Sequence, residues 1–266
     1  MYGNARRGII FTSILMALMM THAEAKLQGR NVEYTQGGKT FEGYLVYDDA
    51  IQGPRPGVLV VHEWMGLNDY AKSRADQLAS LGYVAFAVDL YGKGVRPTTP
   101  EEAGKISGAV KGDRPLMRAR MNAGLDVLKR QELVDRNRIA AIGYCFGGTA
   151  VLELARSGAE VVGVVSFHGG LDSPTPKDAA QIKGKVLVLH GADDPNVPPV
   201  QVAAFQEEMR NAKVDWQMVY YANAVHAFTN PSAGNDPKRG AAYNEKADKR
   251  SWEAMRVFFN EIFNSR

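Results

Sequence analysis

The amino-acid sequence predicts an α/β fold with a mainly parallel central sheet, an antiparallel N-terminal hairpin and helices on both faces. The first observation is that short apolar runs alternate with segments whose apolar residues recur every three to four positions. Such alternation is typical of a parallel sheet covered by helices. The second observation is size, because 266 residues of which 45% are hydrophobic can bury one large core.

The predicted strands begin with the hairpin. Segments 31–36 and 41–47 read as strands and flank the turn sequence GGKT. The run GVLVVH at 57–62 is rich in β-branched residues without interruption, which is typical of a strand buried on both faces of a sheet. The further predicted strands are 83–90, 138–143, 160–169, 185–191 and 215–221.

The predicted helices between these strands each carry one apolar face. One helix is predicted over 146–157, directly after a strand. The apolar faces of the others are formed by Ala71, Ala75 and Leu78; by Met121, Leu125 and Leu128; by Val202, Phe205 and Met209; and by Trp252, Met255, Phe259 and Ile262.

Residues 26–266 are predicted to form a single domain, because the sequence has no internal repeat and no low-complexity linker. Segment 91–115 is rich in glycine and proline and is longer than a usual connection. Such an insertion either covers a pocket or forms a solvated loop, and the sequence leaves both open.

Residues 1–25 differ in kind from the rest and predict a secretory signal peptide. Arg6 and Arg7 precede the apolar run 8–20, and Ala23 and Ala25 form a small-residue cleavage pattern. The apolar run is shorter than the roughly twenty residues that span a membrane. We therefore expect a cleaved, periplasmic or secreted protein without a membrane span in its mature chain. An uncleaved anchor remains the alternative, and the export route, Sec or twin-arginine, stays open.

The charge pattern argues against a nucleic-acid partner. A formal net charge of +3 arises from lysines and arginines that are scattered without a basic block. The sequence also has no cluster with metal-ligand spacing, and GYCFGG is not a dinucleotide-binding fingerprint. We therefore expect no metal and no cofactor, and the oligomeric state cannot be derived.

Cys145 is the only cysteine of the chain, so it cannot form an intrachain disulfide. It is either a small buried apolar side chain or a reactive thiol. Gly143 and Gly147 flank it at two positions on either side, between a predicted strand and a predicted helix, as in a nucleophile elbow. The helix N-terminus favours the thiolate by at most ~2 kcal/mol, so a base is also needed.

Four polar clusters follow predicted strands, where ligand sites of open α/β sheets lie. They are HEW (62–64), GYCFGG (143–148), GADDPNVP (191–198) and ANAVHAF (222–228). The chain order nucleophile, acid, histidine selects His226 as the base. His168 and His190 end buried strands and are predicted to be core or pocket-wall residues, whereas His62 either lines the site or is structural.

The orienting acid is predicted to be Asp194 rather than Asp193. Asp194 stands three residues after Gly191 and four before Pro198, in the pattern G-x-x-D-x-x-V-P. Asp193 is expected to be solvated or to cap the turn.

From about Val58 to its end, the sequence resembles the dienelactone hydrolase family, or carboxymethylenebutenolidases, of the α/β-hydrolase fold. The resemblance rests on VVHEWMGLND, AVDLYGKG, IGYCFGG, HGADDPNVP and HAFTN. It implies a catalytic triad of Cys145, Asp194 and His226. It also implies that Glu63 interacts with the thiol and helps to control when the thiolate forms.

The resemblance further implies an oxyanion hole made by the backbone N–H groups of Phe146 and Trp64. Family members of the chlorocatechol pathway bind the lactone carboxylate with two arginines, and these positions hold Lys93 and Asn230 here. Together with Tyr91, they are the candidate substrate-binding residues. Lys93 keeps the charge without the guanidinium fork and Asn230 loses it, although Arg96 is a further cation of this loop. Whether the substrate is a dienelactone or a different ester or lactone therefore stays open.

The predicted function is that of an exported hydrolase acting on a small-molecule carboxylic ester or lactone through a thioester acyl-enzyme. A non-catalytic binding protein of the same fold is the main alternative. A thiol redox protein is a third, disfavoured because the chain has no C-x-x-C pair.

Overall fold

The described part of the protein is residues 26–264, in a computed structural model. Its sheet has eight strands: β1 (Leu27–Gln36), β2 (Lys39–Asp48), β3 (Arg55–Val61), β4 (Val84–Val88), β5 (Val134–Tyr144), β6 (Gly163–Phe167), β7 (Lys185–Gly191) and β8 (Trp216–Tyr221). The α-helices of these residues are α1 (Asp69–Ser80), α2 (Pro100–Gly112), α3 (Arg114–Lys129), α4 (Phe146–Arg156), α5 (Pro199–Asn211) and α6 (Glu245–Asn264).

The sheet is mostly parallel, as predicted. Its strands lie in the order β1-β2-β4-β3-β5-β6-β7-β8. The β1–β2 hairpin is antiparallel, β2 pairs antiparallel with β4, and the strands from β4 to β8 are parallel to one another. Because the parallel strands share one direction, the segments that follow β3, β4, β5, β7 and β8 emerge at the same edge.

Two apolar cores lie on opposite faces of this sheet because successive strand residues point to opposite sides. Leu59 and Val61 of β3 pack in a cluster with residues of α3, α4 and α5. Val58 and Val60 belong to the other cluster, with residues of α1 and α6. All four side chains are fully buried, which explains why this segment is apolar without alternation.

The glycine- and proline-rich segment 91–115 contains the helix α2. Thr99 caps it by accepting a hydrogen bond from the N–H of Glu102, and Pro100 occupies the first turn, where its missing N–H costs nothing. Ala103 and Val110 are buried, whereas a Cβ atom at Gly104 or Gly108 would meet only open space. The glycines therefore lie on the outer face, where they weaken the helix without disturbing its packing.

A fully buried arginine joins α4 to α5. The Arg156 guanidinium donates two hydrogen bonds of 2.8 Å to the Glu208 carboxylate and one of 3.1 Å to Glu153. Arg118 of α3 donates to the other Glu153 oxygen at 2.8 Å. The charges compensate each other, as burial of ionised groups requires.

Within the described residues, no helix is long and apolar enough to cross a membrane. The predicted signal peptide, residues 1–25, lies outside the described residues and stays a prediction.

Candidate active site

Cys145 occupies a strained turn between β5 and α4. Its backbone has φ 53° and ψ −113°, a combination that non-glycine residues rarely adopt. A Cβ atom at Gly143 would lie 2.0 Å from the carbonyl oxygen of Gly147, and one at Gly147 would lie 2.3 Å from that of Val61. Both positions therefore require glycine, which explains the spacing seen in the sequence. The turn leaves Cys145 half-buried, with its side chain packed against the edge of one apolar cluster.

His226 and Asp194 meet at the same edge of the sheet as Cys145. The His226 Nδ1 atom lies 2.8 Å from Asp194 Oδ2, and the N–H of Asn196 donates to Asp194 Oδ1 at 2.8 Å. A carboxylate can only accept, so Nδ1 carries the proton. Two backbone hydrogen bonds fix the loop that carries His226: its N–H donates to the carbonyl of Gly240, and its carbonyl accepts from the N–H of Ala242.

The Cys145 side chain lies close enough to the same imidazole to affect its pKa. Burial alone would lower the pKa of His226, but the neighbouring Cys145 and Asp194 side chains outweigh it and raise this pKa well above the ordinary value. An imidazolium next to a sulfur atom stabilises the thiolate, which is the nucleophilic form of cysteine. The three side chains thus form a chain of contacts that can generate a thiolate.

Glu63 is buried directly after β3, with an exposed fraction of 6%. Asn230 Nδ2 donates to Glu63 Oε2 at 2.5 Å, and Oε1 has no hydrogen-bond partner among residues 26–264. Burial raises the pKa of the Glu63 carboxyl, against the opposing effects of Asn230, His226 and Arg74. Asn230, which the sequence suggested as a substrate contact, is engaged with this carboxyl group in the structure.

The backbone N–H groups of Phe146 and Trp64 have no acceptor within the described part of the chain. Phe146 begins α4, so its N–H is one of the free donors at a helix N-terminus. The Trp64 carbonyl, in contrast, accepts a hydrogen bond of 2.8 Å from the Tyr91 hydroxyl group. Two free N–H groups, one next to the thiol and one in the neighbouring loop, are suited to stabilise an oxyanion.

The Lys93 side chain points to the N-terminal hairpin and not to the catalytic residues. Its ammonium group forms an exposed ion pair of 2.5 Å with Glu33 of β1, so the charge is committed to the hairpin. Arg96, the other cation of this loop, donates to the carbonyl oxygens of Gly92 and Val95 and lies 3.6 Å from Asp89. In this structure the Lys93 charge is paired with Glu33, and Arg96 Nη1 is bonded to backbone carbonyls of its own loop.

His168 forms hydrogen bonds that support the backbone of the site. It is fully buried, its Nδ1 accepts from the N–H of Cys145 at 3.1 Å, and its Nε2 lies 2.7 Å from Thr229 Oγ1. Thr229 Oγ1 is also 2.6 Å from the Tyr70 hydroxyl group. Burial, followed by the charge of His226, lowers the pKa of His168 well below its ordinary value, so the ring stays neutral. Both ring nitrogens are occupied, which leaves His226 as the imidazole that is available to the thiol.

Sequence reasoning missed Thr229 and Tyr70. Thr229 follows His226 by three residues, inside the HAFTN motif, and that spacing was the available signal. His190 is buried beside the ring of Tyr220, as expected for a residue that ends a strand. No group of histidine, cysteine, aspartate and glutamate side chains suited to a metal ion occurs within residues 26–264.

Comparisons with known proteins identify the family of this chain. The model of the dienelactone hydrolase family matches residues 41–263. A solved structure named "m3DLH" is 46% identical, covers 90% of this chain and 99% of its own, and superposes with a TM-score of 0.86. The dienelactone hydrolase-like promiscuous phosphotriesterase P91, from metagenomic libraries, is 45% identical over 90% of this chain and 99% of its own, with a TM-score of 0.84.

A curated relative extends the same similarity. A protein of Aquifex aeolicus named "Putative carboxymethylenebutenolidase" is 29% identical over 87% of this chain and 97% of its own length. The matched region contains every residue of the site described above.

Proposed function

The chain belongs to the dienelactone hydrolase family and is a lactone or ester hydrolase, and we propose that it acts through a thioester on Cys145 at a site suited to uncharged substrates. The observation that carries the mechanism is the linkage of three side chains: Asp194 holds His226 at 2.8 Å, and His226 faces the Cys145 thiol. The raised pKa of His226 favours an imidazolium that can stabilise the Cys145 sulfur when its thiolate forms.

The reaction follows from this pair. The Cys145 thiolate attacks the substrate carbonyl carbon, and the oxygen that becomes negative accepts hydrogen bonds from the N–H groups of Phe146 and Trp64. His226 transfers its proton to the leaving alcohol oxygen as the ester bond breaks, which leaves a thioester. His226 then takes a proton from water as the water attacks the thioester, and the departing thiolate and the imidazolium restore the starting pair.

The preference for uncharged substrates rests on the cations of the site. Lys93 is paired with Glu33, Arg96 donates to backbone carbonyls, and Asn230 replaces a cation and is bonded to Glu63. A substrate carboxylate would therefore lose its hydration without gaining a charged partner, which is unfavourable. An uncharged aryl ester or lactone avoids this cost.

A second candidate activity is hydrolysis of neutral phosphotriesters. The P91 structure, which is similar over 90% of this chain, is named a promiscuous phosphotriesterase. The same pair of N–H donors could stabilise a phosphoryl oxygen, and a neutral triester meets no unpaired charge. This activity would use the same thiolate.

Turnover of a substrate panel tests the proposal. The purified protein is assayed with p-nitrophenyl acetate, a neutral lactone, a carboxylate-bearing dienelactone and a neutral aryl phosphotriester, before and after treatment with iodoacetamide. We expect higher kcat/KM values for the neutral ester and lactone than for the dienelactone, and loss of activity on alkylation. An alkylated thiol in a protein that never turns over any substrate would instead favour a binding protein of the same fold.

We also propose that residues 1–25 direct export, on the basis of their sequence pattern. Cell fractionation followed by N-terminal sequencing tests this: a mature chain that begins near Lys26 in the periplasm or medium is expected. A cytoplasmic protein that retains Arg6 and Arg7 would contradict it.

A further inference from the structure

His62 directly follows β3, before Glu63 and Trp64, and is fully buried. The mechanism described above gives it no role. We propose that His62 is a positioning residue that aims the N–H of Trp64 at the oxyanion, an inference that rests on the proposed thiolate mechanism.

The hydrogen bonds of the ring fix its protonation state. The backbone N–H of Leu90 donates to His62 Nε2 at 3.2 Å, so this nitrogen has no proton. His62 Nδ1 lies 2.6 Å from the carbonyl oxygen of Glu63, which can only accept, so Nδ1 is the protonated nitrogen. Burial lowers the pKa of His62 to about 4, which keeps the ring neutral at neutral pH.

The contact of Nδ1 determines the direction of a catalytic N–H group. The carbonyl of Glu63 and the N–H of Trp64 belong to the same planar peptide group and point in opposite directions across it. A donor that holds the oxygen on one side therefore fixes where the N–H points on the other. The N–H of Gly66 also donates to this oxygen at 3.2 Å, but it closes a turn within the same loop. His62 connects the peptide to the sheet.

The next peptide group, which contains the carbonyl of Trp64, is also fixed by a side-chain donor. The Tyr91 hydroxyl group donates to the carbonyl oxygen of Trp64 at 2.8 Å, and Tyr91 packs edge-on against the His62 ring at 4.8 Å between centroids. The other side of the ring stacks on Phe146, with centroids 5.8 Å apart and planes 15° from parallel. One buried ring thus contacts Phe146 and the Glu63 carbonyl, which belongs to the same peptide group as the N–H of Trp64.

Substitutions that keep the shape of the ring or restore one nitrogen separate this role from simple packing. His62→Phe keeps an aromatic ring against Phe146 and removes both hydrogen bonds. His62→Asn places an amide N–H near the Nδ1 position, whereas His62→Gln reaches the Nε2 position instead. Tyr34→Phe is the matched control, because the Tyr34 hydroxyl group donates at 2.6 Å to the carbonyl of Asp89, in the turn that also holds Leu90.

For each variant, kcat and KM for p-nitrophenyl acetate are measured beside the rate at which iodoacetamide alkylates Cys145 and the thermal midpoint. Alkylation needs the thiolate but no oxyanion donor. We expect His62→Phe and His62→Gln to lower kcat by about 10–100-fold, somewhat less than removal of a donor. KM and the alkylation rate should change less than about 2-fold, and His62→Asn should recover most of kcat. Tyr34→Phe should lower the midpoint while kcat stays unchanged.

Unchanged kcat in both His62→Phe and His62→Gln would overturn the inference. So would a fall in the alkylation rate in parallel with kcat, because the ring would then support the whole site rather than one donor. If His62→Phe does not fold, the comparison of His62→Asn with His62→Gln decides, and equal kcat values in the two contradict the inference. Failure of the mechanism itself has a different signature, namely turnover by the wild-type protein that persists after Cys145 is alkylated.

Discussion

Replacing Glu63 by glutamine should stabilise the protein while impairing its activity. The carboxyl group is buried, it accepts one hydrogen bond, from Asn230, and its Oε1 atom has no partner within residues 26–264. Glutamine has the same shape, can still accept from Asn230 and carries no charge. The substitution therefore removes the cost of keeping an ionised carboxylate away from water.

The size of the gain follows from opposing effects. Burial of a carboxylate costs several kcal/mol, and one hydrogen bond to a charged acceptor returns about 1.5–3 kcal/mol. The glutamine NH2 group would lie at the Oε1 position without an acceptor, which costs about 1–3 kcal/mol. We expect a remaining net gain of about 1–2 kcal/mol for Glu63→Gln, in the usual range of stabilising substitutions. For a domain of this size, each kcal/mol of unfolding free energy shifts the thermal midpoint by about 2–4 °C, so the midpoint of unfolding should rise by about 2–8 °C.

The gain should depend on pH. The pKa of Glu63 is raised in the folded state, so the wild-type protein loses stability as the pH rises from the ordinary carboxyl value, about 4.3, through the folded value. Glutamine does not titrate. The difference between the two proteins should therefore be small near pH 4 and full once Glu63 is ionised.

Thermal unfolding of the wild-type and Glu63→Gln proteins across this pH range measures the effect, with p-nitrophenyl acetate turnover recorded on the same samples. A gain that is equal at acidic and alkaline pH would refute the reasoning, because it would not come from the charge of Glu63. A loss of stability at every pH would refute it as well.

Three further predictions concern other parts of the structure. Asp194→Asn should lower kcat by about 10⁴-fold, since the amide no longer fixes the proton on Nδ1 of His226; a loss below about 10-fold in esterase assays would speak against this role. Glu208→Gln should destabilise the fold by about 3–5 kcal/mol, because it removes the bidentate partner of the buried Arg156; denaturant unfolding measures this, and an unchanged midpoint contradicts it. Gly147→Ala should yield little folded protein on circular dichroism, because its Cβ would lie 2.3 Å from a backbone oxygen, and a native, active Gly147→Ala protein would disprove the close approach.

The parallel sheet could be predicted from the sequence because burial on both faces leaves a direct pattern. The run over 57–62 contains no alternating polar residue, and all of Val58–Val61 proved to be buried. The order of the strands and the pairing of β2 with β4 could not be derived, since they depend on contacts between distant segments. The helix α2 could not be predicted, because glycine and proline normally indicate a loop. Here the glycines lie on the solvent side and the proline lies in the first turn, where neither prevents a helix.

At the site, the sequence could identify those residues whose position requires glycine neighbours. Gly143 and Gly147 pointed to Cys145, and their close contacts supply the physical reason. The direction of the Lys93 side chain left no such mark. Its ammonium group pairs with Glu33, sixty positions away in the sequence, and no local pattern encodes that choice.

The hydrogen-bond networks were likewise inaccessible to sequence reasoning. Thr229 connects His168 to Tyr70, and Asn230 connects to Glu63 across 167 positions. Such pairs join residues that are far apart in the sequence, so no fixed spacing between them predicts the contact. Chain order could select His226, but the structure was needed to see that both nitrogens of His168 are occupied.

Identification of the atom that carries the acyl group tests the central claim most directly. The protein is mixed with an activated ester, quenched in acid within the first turnovers, digested and analysed by mass spectrometry, beside a Cys145→Ala control. We predict an acyl adduct on the peptide containing Cys145 that forms and decays at rates consistent with turnover and is missing in the control. Turnover without such an adduct, or an adduct on another residue with full activity in Cys145→Ala, would contradict the account.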